Sequence, residues 1–268
     1  MPQRHGPDRR AVLRGAAVAS GAALAGGAFG VSTAHADTSS AAAEPAMYFR
    51  ADWGARPPSS PIQVLAEPPS FVVVHHTATP NSADHSEAHA LALSRSIQNF
   101  HMDSNGWSDA GQQFTISRGG HIMEGRDRAV PAVREGQHCV GAHVANNNST
   151  CVGIENEGTY MDEGPTQALT DSLVATLAWL CGAYGLNPQE AILGHRDFNA
   201  TACPGDVLYA MLPDLRNAVT GVMLSRGLEI GTRTVPVQDR PTYPPVPADE
   251  PSREFDHGPG RGADDFTR

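Results

Sequence analysis

"SFVVVHHTA", residues 70–78, decides how the chain folds. Phe71–Val74 is an unbroken apolar run, β-branched after its first residue and bounded by polar text, the pattern of a short buried strand. The strand ends on two adjacent histidines, His75 and His76. Neighbouring side chains on a strand point to opposite faces, so only one of the two can share a site with residues arriving on a given face.

Reading outward, strands and helices alternate. "HALALSRSIQNF" (89–100) puts Leu93, Ile97 and Phe100 on one helical face. "GQQFTISRGGHIMEGR" (111–126) reads as two strand-like runs turning at Gly119-Gly120. "CVGIENEG" (151–158) is a further strand. In residues 165–186, Thr166 caps a helix striped by Leu169, Leu173, Leu177 and Leu180 and closed by Gly185. "AILGH" (191–195) is a short strand, and a last helix begins near Asp206, with Pro213 breaking or kinking it. The expectation is an α/β domain over residues 47–228, a central mixed β-sheet flanked by helices.

The ends read differently. "DRRAVLR" (8–14), an uncharged Ala/Gly/Val stretch (15–31) and "AHA" (34–36) make residues 1–36 a twin-arginine-type signal peptide. Residues 37–46 read as a short flexible leader, and 229–268 as a Pro-rich disordered tail. The chain has 268 residues, with 19 arginines and no lysine. Without residues 1–36 it carries 15 arginines against 28 acidic residues, a net charge of −13 with neutral histidines. Such a surface excludes non-specific nucleic-acid binding and offers no polybasic handle for anionic membranes. No other segment approaches a membrane span, and a monomer secreted to the cell wall or beyond is expected. In an exported chain, Cys139 and Cys151, flanking one loop, are the natural disulfide pair, and Cys181 reads as a buried thiol.

"GHRDFNATACPGD" (194–206) sets His195 and Cys203 eight positions apart, and Pro204-Gly205 turns the chain sharply after them. Imidazole and thiolate both ligate zinc, and a catalytic zinc takes three protein ligands and leaves one position open. The third ligand is expected from "HHT"; spacing alone does not choose between His75 and His76. In the strand at 151–158, Glu155 and Glu157 share a face. A carboxylate buried there is costly unless paired or useful, and a salt bridge to an arginine such as Arg196 is the alternative to a catalytic role. His85 and His89 read as a solvated helix face, and His101 and Trp107 as packed side chains.

"VVVHHTA", "GW-x-D", "GG-x-x-x-EGR", "GAH", "VGIENEG" and "GHRDFNATACPGD" follow one another in an order and spacing that resemble the zinc N-acetylmuramoyl-L-alanine amidases and peptidoglycan recognition proteins. The resemblance covers about residues 47–224. It implies zinc held by His75, His195 and Cys203, with His76 structural behind the strand. It implies cleavage of the amide between muramic acid and the first L-alanine of peptidoglycan stem peptides, so muropeptides are the implied partner. Glu155 matches a glutamate that acts beside the zinc water in a sister branch, and Thr201 matches a threonine of the recognition-protein branch, here an oxyanion donor. That branch carries a tyrosine where this chain has Gln112, which offers a hydrogen bond but no general base. The "GAH" loop borders the substrate groove in the family, which makes His143 and Asn148 candidate substrate contacts; Arg126 is a candidate for stem-peptide carboxylates. Asp197 reads either as a group that orients a ligand or as a turn cap. The other reading of the same motifs is a peptidoglycan-binding module with weak or no catalysis, for which the missing tyrosine speaks and the retained Cys203 does not.

Overall fold

The computed structural model describes residues 43–247 and 253–266. The export signal expected at residues 1–36 lies outside them. Elements follow in the order β1 (Val64–Leu65), β2 (Phe71–His76), α1 (Glu87–Asn99), β3 (Phe114–Ile116), β4 (Ile122–Glu124), α2 (Ala129–Arg134), β5 (His138–Cys139), β6 (Cys151–Asn156), α3 (Gln167–Tyr184), α4 (Pro188–Ala191), β7 (Ile192–Gly194), α5 (Asp206–Ala210) and α6 (Leu212–Ser225).

Five strands form one mixed sheet in the order β4-β3-β6-β2-β7. β2 runs parallel to both β6 and β7, β3 runs parallel to β6, and β4 returns antiparallel along β3. β1 and β5 form a separate antiparallel pair. Every residue of β2 and β6 is buried, as the unbroken apolar run from Phe71 requires. The strand alternation sorts the core. Val72, Val74, Val152, Ile154, Phe114 and Ile192 face α3 and α6, where Leu169, Leu173, Leu177 and Leu180 are fully buried. Burial of each leucine contributes about 1.5–3 kcal/mol, so this face anchors the domain. Phe71, Val73, Cys151 and Leu193 form a smaller cluster on the opposite face.

Local chemistry sets the helix ends. Ser86 Oγ accepts the His89 N–H at the start of α1, and Thr166 Oγ1 accepts the Leu169 N–H at the start of α3. Gly185 ends α3 in the left-handed region, φ 61°. Pro213 stands in the first turn of α6, where its missing N–H costs nothing, and separates α6 from α5.

Two expectations are corrected here. Cys139 and Cys151 are not joined: all four cysteines are free. Cys139 packs into the α3-facing core and Cys151 into the opposite cluster, so the sheet separates two residues that flank one loop. The tail is not an unstructured appendage. Residues 253–266 pack back onto the domain, and His257 is only 2% exposed. Among the described residues, no helix is long and apolar enough to cross a membrane.

Candidate metal centre

The site stands at the carboxyl ends of the parallel strands, where open α/β sheets place their ligands. His75 and Glu155 pair in register across β2 and β6, and cross-strand partners share a face. Thr115 of β3 extends the same row. His195 follows directly on β7, in a short 3-10 turn. The loop behind it is closed by Arg196 N–H donating to Cys203 O at 3.0 Å. This brings Cys203 Sγ to 3.7 Å from His75 Nδ1. His76 points its ring to the other face, and only its backbone N–H reaches the Cys203 sulfur, at 3.4 Å. Strand alternation thus selects His75 over His76.

One donor atom each from His75, His195, Cys203 and His257 lies within 4.8 Å of all the others, and all four residues are buried. In a tetrahedral zinc site, bond lengths of about 2.0–2.1 Å to nitrogen and about 2.3 Å to sulfur make donor–donor edges of about 3.4–3.6 Å. The separation of 3.3 Å from His195 Nδ1 to His257 Nδ1 and of 3.7 Å from Cys203 to His75 match those edges. The donor set therefore fits zinc in size and in chemistry.

Hydrogen bonds fix which nitrogen of each ring faces the centre. His143 Nε2 lies 3.1 Å from Cys151 O, a carbonyl that can only accept, so His143 carries its proton there. Its Nδ1 is then an acceptor for the His75 Nε2–H at 3.0 Å, which leaves the His75 Nδ1 lone pair facing Cys203. His195 Nε2 lies 3.1 Å from both Asn199 Oδ1 and Pro259 O, so it too donates from Nε2 and presents Nδ1. Burial, reinforced by the neighbouring imidazoles, holds His75 and His143 well below the usual histidine range, and burial takes His195 down to about 3. All three are neutral. Burial also disfavours charge on His257, but the Glu155 carboxylate and the contact with Cys203 outweigh it and raise His257 to about 10. The cluster thus holds one positive charge between Cys203 and Glu155.

Glu155 is fully buried and is not paired with Arg196, which bonds instead to Asp206 at 2.7 Å and to Ala202 O. Its Oε1 accepts from His257 Nε2 at 3.0 Å, and its Oε2 has no hydrogen-bond partner. His101 turns its Nε2, also without a partner, toward Oε1 at 4.0 Å. Its Nδ1 accepts the Gly111 N–H at 3.0 Å, so the proton is on Nε2. Glu157 is occupied elsewhere, by His89 at 2.5 Å and the Arg118 N–H at 2.7 Å.

The remaining candidates fall into place around this cluster. Thr201 Oγ1 accepts the Cys203 N–H at 3.1 Å and donates to His257 O at 2.7 Å. Gln112 stands one residue away from the centre, its Nε2 donating to Thr115 Oγ1 at 2.8 Å. His143 is corrected from a substrate contact: both its nitrogens are committed, to His75 and Cys151, and it is fully buried. Asn148 braces the same loop through the His143 and Val144 N–H groups and aims its amide nitrogen at Gly260 O, 2.8 Å away. Arg126 is held by Ala110 O and Ser108 Oγ and lines a pocket shared with Arg261 and Asp265. Asp197 is a turn cap, accepting from Gly194 N–H and Tyr209 OH; Asn199 orients His195 instead.

Two members of the cluster were missed by sequence reasoning. His101 reads as packed, because the Gly111 contact that aims it is invisible in helical periodicity. His257 lies in text whose composition argues against order, although a histidine between Phe255 and "GPG" is an unusual token in such a tail. A test of the inner arrangement follows: His143→Ala is expected to weaken zinc binding about 10–100-fold, the usual cost of losing an orienting partner, measured by chelator competition. An unchanged affinity would remove His143 from the support of His75.

Comparison with known proteins agrees with this geometry. The family profile described as N-acetylmuramoyl-L-alanine amidase (Amidase_2) matches residues 65–206. The N-acetylmuramoyl-L-alanine amidase of Sus scrofa is 37% identical over 169 residues, 63% of this chain and 27% of that protein. The chain spans 27–30% of the length of the three mammalian amidases it matches. The crystal structure of Drosophila peptidoglycan recognition protein SD superposes with a TM-score of 0.55 at 30% identity, covering 63% of this chain and 94% of that one. Peptidoglycan recognition protein-LE, solved in complex with tracheal cytotoxin, a monomeric diaminopimelic acid-type peptidoglycan, gives 0.55 at 30% identity, with 63% and 92% covered. With the profile spanning more than half of its residues, the chain belongs to the N-acetylmuramoyl-L-alanine amidase family.

Proposed function

We propose that the chain is a zinc-dependent amidohydrolase cutting the amide between N-acetylmuramic acid and L-alanine of peptidoglycan stem peptides. The observation that carries this reading is the convergence of His75, His195 and Cys203 beside a buried carboxylate, Glu155, that no arginine neutralises. Zinc, when bound, supplies Lewis-acid polarisation of the scissile carbonyl and acidifies the attacking water. The protein's own groups do the rest. His143 and Asn199 hold His75 and His195 in the tautomers that present Nδ1. Glu155 accepts the water's proton and returns it to the leaving nitrogen of L-alanine. His101 offers an N–H beside that carboxylate. Thr201 donates its hydroxyl to the oxygen of the carbonyl under attack. The twin-arginine-type N-terminus supports a meeting with the wall outside the cytoplasm.

A second reading, a recognition module that binds peptidoglycan without cutting it, is favoured by one observation. Gln112 takes the place of the expected phenol and spends its amide on Thr115. Incubation with muropeptides, with and without a zinc chelator, decides between them. Peptides beginning with L-alanine are expected to accumulate only while metal is retained. Tight muropeptide binding by zinc-loaded protein without product establishes the recognition reading.

A further inference from the structure

We propose that residues 253–266 are a built-in plug of the metal site, in which His257 supplies a fourth protein ligand and keeps the protein latent; the latency, though not the ligation, rests on the amidase reading. The segment lies beyond the stretch matched by the family profile, residues 65–206, so it is an addition of this chain to the shared domain.

The segment is held along its length by specific bonds. Phe255 N–H donates to Thr77 O at 3.1 Å, and Ala145 N–H donates to Pro259 O at 3.0 Å. Asn148 Nδ2 donates to Gly260 O at 2.8 Å, and Asn146 N–H donates to Asp265 Oδ2 at 2.9 Å. Phe255 packs its ring on Phe100. Its glycines are fitted to the domain. A Cβ at Gly260 would fall 2.4 Å from the Trp107 ring, and one at Gly258, where φ is +114°, would fall 2.6 Å from Thr201 Oγ1. No side chain larger than hydrogen fits at either position without displacing the segment.

His257 is set where the chemistry would occur. Its Nε2–H is given to Glu155, so Nδ1 is the atom turned to His195 Nδ1, 3.3 Å away. One imidazole therefore spans the gap between the donor cluster and the carboxylate, the space an attacking water must occupy to reach both. The peptide carbonyl of the same residue takes the Thr201 hydroxyl at 2.7 Å, the donor assigned to the scissile carbonyl. Zinc sites closed by four protein ligands are structural, and those with an open fourth position are catalytic. His257 converts the second kind into the first, and departure of the segment reopens it.

Cobalt(II) in place of zinc reports this directly, in the full-length chain and in full-length His257→Gln and Gly260→Leu variants. The parent's visible d–d spectrum is expected to be indifferent to added azide, whereas both variants shift with it. A synthetic peptide of residues 253–266 added to the Gly260→Leu variant should restore the closed spectrum. Muropeptide cleavage should rise about tenfold or more in Gly260→Leu, the factor lost when a site is open a tenth of the time or less. A parent site that takes azide as readily as both variants overturns the proposal. Azide responses that differ as expected, with no cleavage by any of the three, uphold the plug and remove the amidase reading instead.

Discussion

Cys203→Ser is expected to weaken zinc binding by at least about a hundredfold and to abolish amidase activity while the fold persists. The lower bound comes from partners that merely orient a ligand, whose loss already costs about 10–100-fold; a direct donor exceeds them. Cys203 is fully buried, and its sulfur faces His75 Nδ1 on one side and the His76 N–H on the other. Burial pushes its thiol up, so without a metal the sulfur stays protonated. A bound cation reverses that balance by taking the thiolate directly. Serine keeps the hydrogen bond from His76 but provides a hard oxygen that does not ionise, on a shorter bond. Chelator competition measures the affinity, and thermal melting of the metal-free protein checks the fold. Zinc affinity equal to the parent's would refute the assignment of Cys203, whichever way the catalytic question falls.

Much of this arrangement was legible in the sequence, and the reasons differ by residue. The run Phe71–Val74 announced a central strand because a strand covered on both faces has no polar alternation to hide it. The Leu169–Leu180 stripe announced α3 because one packed face repeats at helical spacing. His195 and Cys203 were legible because one short loop carries both. The choice of His75 needed the family resemblance, and strand alternation supplies its physical reason. The cysteines misled because nearness along the chain does not fix the face of the sheet on which a side chain emerges. His257 was hidden for a different reason. Its segment docks through main-chain hydrogen bonds and the close approach of glycines, whereas composition registers only how much apolar surface a segment can bury. A Pro/Gly-rich stretch that fits a groove and one that fits nothing look alike to such a measure.

Glu155→Gln is expected to lower kcat by about 10²–10⁴-fold, the span typical of general acid–base catalysis, with KM and zinc content close to those of the parent. Glutamine matches glutamate in shape and can still accept from His257 Nε2 through its carbonyl, so the neighbourhood need not rearrange. It cannot take a proton from water or return one to the leaving nitrogen. The same substitution tests the structural alternative. Arg196 is committed to Asp206, and Oε2 of Glu155 has no partner, so no ion pair is lost when the charge is removed. Relieving a buried carboxylate should leave stability unchanged or raise it. A structural carboxylate gives the opposite pattern, a destabilised protein with turnover per folded molecule intact. Measuring the pair of effects in the Gly260→Leu background separates them from any change in seating of the tail. A variant there with full kcat would exclude Glu155 as the proton carrier and turn attention to His101, the other polar side chain aimed at the same space.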